Sequence, residues 1–135
     1  MAIWLTIIPL DIFTRILPLA KAQNTRIILL NRREYPGSKP YSPSERDILL
    51  KAQGDGALAA DAARSFWASR ADEVTSTLEY IVEQGGVPQE SIILVGWSMA
   101  GMYMTSLLAR PPANTGRVDL SQYIRRIICL GKSYD

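Results

Sequence analysis

Apolar residues in this chain fall into two kinds of pattern. Short, largely apolar runs stand at Ile3 to Ile8, Thr25 to Asn31 (TRIILLN), Glu90 to Gly96 (ESIILVG) and Tyr123 to Gly131 (YIRRIICLG). Each is too short for an ordinary helix and is bounded by polar or turn-forming residues, so each predicts a strand. Because nearly every position is apolar, without the alternation of a half-exposed strand, these strands belong to a parallel sheet covered on both faces.

Between the strands the pattern becomes helical. Ser42, Pro43 and Glu45 have the spacing of an N-cap, a first-turn proline and a reciprocal capping carboxylate, which starts a helix in SPSERDILLKAQ that stops before Gly54 and Gly56. A longer helix is predicted from about Ala57 to Gln84. Ala63, Trp67, Val74, Leu78 and Ile81 share one face of it, while Asp72, Glu79 and Glu83 fall elsewhere. Gly85-Gly86 and Pro88 end it, and a third, apolar helix runs from Met99 to Ala109 before Pro111-Pro112. Strands alternating with helices predict an α/β protein: a parallel sheet of about four strands flanked by helices.

The N-terminal MAIWLTIIPLDIF raises the question of a membrane or secretion segment. Pro9 and Asp11 interrupt it well short of the roughly 20 apolar residues of a spanning helix, and a signal peptide would need a basic start and a small-residue cleavage site. Ile3 to Ile8 is therefore read as a buried strand. The 135 residues fit one domain, 1–135, with a core of its own. Charged residues make up 21% of the chain and the net charge is +2, which carries no nucleic-acid signature. Cys129 is the single cysteine, so no internal disulfide forms. It is expected to be a buried small hydrophobe in a reducing, cytoplasmic setting.

Chemistry is concentrated in IILVGWSMAGMYM, Ile92 to Met104. A strand that reverses into a helix within about two residues forces its turn residue into a strained conformation, and the residues two before and two after must be small. Gly96 and Ala100 hold those places around Ser98. Such a turn lifts the serine Oγ clear of the sheet and aims the Met99 N–H at an oxyanion forming beside it. The alternative is a plain strand-to-helix turn. Two phosphate-binding readings fail on residues: Gly101 is followed by Met102-Tyr103 and not by the Lys-Ser/Thr of a P-loop, and GWSMAG lacks the dinucleotide-binding G-x-G-x-x-G. No cofactor or metal is called for.

With NRREYPGSKPYS after one strand and LVGWSMAG after the next, the chain resembles the N-terminal half of an α/β-hydrolase fold protein of the AB hydrolase-1 type. The family's R-G-x-G-x-S-like loop is matched by Tyr35-Pro36-Gly37-Ser38, with Arg32-Arg33 just before, and its nucleophile elbow by Gly96, Trp97, Ser98, Met99 and Ala100, where Ala100 replaces the commoner glycine. The resemblance implies the third to sixth strands of an eight-stranded pattern. It also implies Ser98 as nucleophile, the Met99 N–H as half of an oxyanion hole, and a small-molecule ester or acyl substrate. The family's His-Gly after its third strand is replaced here by IIPLDIF, and the chain contains no histidine.

A serine hydroxyl is too weakly acidic to attack unaided at neutral pH. Lys132 and Lys39 follow strands, but a solvated lysine is protonated and is no base. Asp135 holds a place where some hydrolases keep their acid; an ordinary terminal acidic residue is the plainer reading. Trp97 and Met99, flanking the serine, are candidates for a substrate pocket, whereas Met102 and Met104 fit core packing equally well, and Trp67 is assigned to packing. The sequence therefore supports a serine hydrolase-like protein lacking the histidine and acid of its triad, or an inactive fragment that binds or interacts. In a truncated sheet the last strand has an unpaired apolar edge, which predicts self-association.

Overall fold

A computed structural model describes the backbone of residues 3–7 and the whole of residues 14–109 and 118–131. The strands are β1 (Ile3–Ile7), β2 (Arg26–Leu30), β3 (Ile92–Trp97) and β4 (Ile124–Leu130). They lie in the order β2-β1-β3-β4 with every pairing parallel. The helices are α1 (Leu17–Ala22), preceded by a 3-10 turn at Thr14–Ile16, then α2 (Pro43–Ala52), α3 (Gly56–Gly85) and α4 (Ala100–Ala109); a second 3-10 turn, Leu120–Gln122, leads into β4. The α/β class and the parallel sheet are those the apolar runs predict. Among the described residues no helix is long and apolar enough to cross a membrane.

Local signals set the helix ends. Ser42 caps α2 by accepting from the Glu45 N–H while the Glu45 carboxylate accepts from the Ser42 N–H, and Pro43 occupies the first turn. Gly86 closes α3 in the left-handed conformation, at φ 57°, that only glycine adopts without strain. The core is built by Val74, Leu78, Ile81 and Val82 of α3 against Ile92 and Leu94 of β3 and Ala100, Tyr103 and Met104 of α4. Burying each large aliphatic side chain of this set contributes about 1.5–3 kcal/mol.

Two expectations are corrected. Glu79 is buried rather than off the packed face of α3, because that face is wide enough to take in Ala71 and Val82 as well as Val74 and Leu78. Cys129 is exposed rather than buried. The apolar run that holds it pairs with β3 alone among the described strands, so the sheet covers it on one side only. The expectation that the N-terminal strand is buried concerns side chains outside the described residues, as do residue 8 and the 9–13 segment.

The loop after β2 is held by a charge cluster. Arg33 lies between Glu45 of α2, at 2.9 Å on its second contact, and Glu73 of α3, at 2.7 Å, and it also donates to the Pro40 carbonyl at 2.7 Å. Arg70 of α3, 1% exposed, donates to Glu45 at 2.6 Å. The Tyr41 ring stacks against both guanidinium groups, 5.0 Å from Arg33 and 4.7 Å from Arg70, and meets Phe66 edge-on. Phe66, Trp67 and Tyr103 continue the edge-to-face contacts from α3 to α4. The loop is thereby fastened to the two helices that pack beside the core.

The Glu45 carboxyl is held well below the usual carboxylate range, first by the Ser42 N–H, with burial opposing and Arg70 and Arg33 adding to the effect. A carboxyl depressed in the fold stabilises it fully above the unfolded value of about 4.3 and loses that contribution as pH falls below it. Glu45→Gln is therefore expected to cost about 1.5–3 kcal/mol at pH 7, with the gap to wild type narrowing steadily between pH 5 and pH 3 in urea unfolding. A gap that stays constant with pH would show that Glu45 contributes through packing alone.

Candidate functional site

The direction of the chain through the sheet marks one place as special. From β1 the chain moves to β2 on one side, then crosses back over β1 to β3 and continues the same way to β4. In parallel sheets wound by right-handed crossovers, connections running in opposite directions fall on opposite faces, and ligands generally bind at the C-terminal ends of the two strands where the direction reverses, here β1 and β3. Ser98 stands at the C-terminal end of β3, on the border of this switch point.

The turn at Ser98 is as short as the sequence requires. β3 ends at Trp97 and α4 begins at Ala100, and Ser98 has φ 52°. Asn24, Glu34 and Glu90 also have positive φ, but in exposed loops; Ser98 alone of the four joins a strand to a helix across two residues. A side chain in this region costs about 1–3 kcal/mol, and the surroundings hold it there. The Ser98 N–H donates to the Leu130 carbonyl of β4 at 2.6 Å, and its carbonyl accepts from the Gly101 N–H at 2.9 Å.

Gly96 makes the turn possible. A Cβ at this position would come within 2.9 Å of Met104 Cγ, closer than real Cβ contacts occur, and 3.0 Å of the Ala100 carbonyl oxygen, tighter than nearly all of them. The first turns of α4 therefore lie directly on the backbone of β3, with Ala100 and Met104 buried beneath them. Ser98 itself is exposed, and Trp97 and Met99 on either side are 50% and 53% exposed. Among the described residues the Met99 N–H meets no backbone acceptor, as expected of a donor at the start of a helix.

The sequence-predicted residues Trp97, Ser98 and Met99 thus come together as an exposed serine between two apolar side chains, with a backbone donor beside it. Lys39 is exposed in the loop after β2, and among the described residues no hydrogen bond or ion pair joins it to Ser98. Lys132 and Asp135 lie outside the described residues, as does the IIPLDIF segment beyond Ile7. Met104 is buried in the core, whereas Met102 is 47% exposed. Among the described residues no three His, Cys, Asp or Glu side chains gather as a metal site would need.

Sequence reasoning missed Arg32 as a neighbour of the serine turn. Its guanidinium touches the Met99 sulfur and donates to the Tyr35 hydroxyl at 2.8 Å. The two arginines and the tyrosine stand out in the sequence, but no spacing tells that their loop folds onto a residue 67 positions later.

Gly96→Ala is the sharpest test of the turn. Forcing a methyl into the strand-to-helix contact is expected to cost about 1–3 kcal/mol of stability and to displace α4, seen as amide shift changes through residues 96–104. An alanine variant of wild-type stability and spectrum would show that α4 does not rest on this glycine. The chain matches no family model, no curated protein and no solved structure.

Proposed function

We propose that this chain carries the nucleophile turn of a serine hydrolase of the α/β-hydrolase type, acting on ester or related acyl substrates. The observation that carries the reading is Ser98 at φ 52° between β3 and α4, on a turn that only Gly96 leaves room for. Its place beside the reversal of strand order supports the same reading, since open parallel sheets bind ligands there. The strand pair β1-β2 and the loop Tyr35 to Ser38 fit the third and fourth strands of that fold and the loop between fourth strand and helix.

In this reaction the Ser98 Oγ bonds to the carbonyl carbon, its proton passes to a base, and the carbonyl electron pair moves to the oxygen, where the Met99 N–H meets it. Collapse expels the alkoxide, which takes up a proton, and leaves an acyl group on Ser98 for water to remove. The sequence contains no histidine, the base on which such a serine relies. Exogenous imidazole stands in for it in the test.

Incubation with a fluorophosphonate, in which Oγ displaces fluoride from phosphorus and the base takes the proton, is expected to give one adduct mapping to Ser98. Its rate should rise at least about tenfold with added imidazole, in the range general base catalysis provides, and Ser98→Ala should abolish it. A folded chain that stays unlabelled with imidazole present would overturn the proposal. The absence of histidine favours, in that event, a non-catalytic interaction module associating through the outer edge of β4, and a chain eluting as a dilution-stable monomer would remove that reading too.

A further inference from the structure

Of the nine arginines among the described residues, four are paired with carboxylates. Arg33 and Arg70 pair with Glu45 and Glu73, Arg46 with Glu34, and Arg64 with Asp61. Arg32, like Arg15, Arg26, Arg125 and Arg126, has no carboxylate within ion-pair distance among the described residues, but its guanidinium is held against Met99, the residue beside Ser98. Its guanidinium carbon sits 4.6 Å from the centre of the Tyr35 ring, one Nη donates to the Tyr35 hydroxyl at 2.8 Å, and the other rests against the Met99 sulfur.

A thioether is a poor acceptor for a guanidinium, which is built to hold a carboxylate through paired, charge-assisted hydrogen bonds. Tyr35 fixes the group in one orientation, and Met99 places it one residue from Ser98. The charge cluster around Arg33 keeps the same loop in position, so the group is held in place before any ligand arrives.

On the reading of Ser98 as the reacting residue, we infer that Arg32 is a specificity-determining residue of that site: it binds a carboxylate on the acyl side of the substrate, so the preferred ligand is a monoester of a short dicarboxylic acid. The anion displaces the Met99 sulfur from Nη1, and the ester carbonyl falls toward the Ser98 turn.

Binding, separated from chemistry, tests this. In the Ser98→Ala chain, monomethyl succinate and dimethyl succinate are titrated while amide shifts of residues 96–100 and the Arg32 side-chain Nε–H are followed. The charged monoester is expected to bind at least about tenfold more tightly, in line with hydrogen bonds to a charged group. That preference should fall to within about threefold on adding Arg32→Gln, be partly retained with Arg32→Lys, and be untouched by Arg46→Gln.

Equal binding of the two esters, binding of neither, or a preference that survives Arg32→Gln would overturn the inference. The two readings fail separately. Fluorophosphonate labelling of Ser98 without a carboxylate preference removes the role of Arg32 and leaves the nucleophile. A carboxylate preference lost with Arg32 but no labelling keeps an anion site and removes the hydrolase.

Discussion

The contact between α4 and the backbone of β3 at Gly96 is the constraint on which the site depends. With no Cβ at position 96, the helix begins after only two intervening residues and lies against the strand, and the first of them, Ser98, adopts positive φ. The exposure of the serine, of Trp97 and of Met99, and a Met99 N–H with no backbone acceptor among the described residues, accompany that close approach. Enlarging the turn would relax Ser98 into an ordinary loop residue and withdraw the donor beside it.

The charge cluster of Arg33, Arg70, Glu45 and Glu73 serves position more than stability. Arg70 is buried, and among the described residues its Nε has no hydrogen-bond partner, a cost that an apolar residue would avoid. Buried ion pairs roughly offset their own desolvation and add little net stability. This one joins the loop after β2 to α2 and α3 by directional bonds, and the loop in turn carries Arg32 and Tyr35 to the serine turn. Tyr103 belongs to the same arrangement: burial, with the hydrogen bond to Tyr41 adding to it, pushes its hydroxyl well above the usual tyrosine range, so it remains neutral between the cluster and the core.

Much of the framework could be read from the chain because its signals are local. The capping box at Ser42 and Glu45, the glycines closing α3 and the apolar runs of β2, β3 and β4 each act over a few residues, and the structure forms them within a residue or two of where the pattern puts them. The turn at Ser98 was visible for the same reason, since the requirement for small residues two before and two after is written in the sequence itself. Side-chain environment was harder to read. Cys129 reads as buried because an apolar run says nothing of whether its strand has neighbours on both sides, and Glu79 reads as lying off the packed face because periodicity does not give that face's width. Arg32 at Met99 is a contact between distant segments, set by how the loop is fastened, and no nearby residue announces it.

Strain at Ser98 is what the close approach of α4 to β3 imposes, and a pair of variants isolates it. Ser98→Gly and Ser98→Ala both remove the hydroxyl and differ only in the Cβ. At an ordinary strand or helix position alanine is the more stable by about 0.5–1 kcal/mol, whereas at positive φ the order reverses because the Cβ is strained. Unfolding free energies are expected to place Ser98→Gly above Ser98→Ala. The opposite order would contradict that strain, since Ser98 would then occupy relaxed backbone and the turn would owe nothing to the close approach at Gly96.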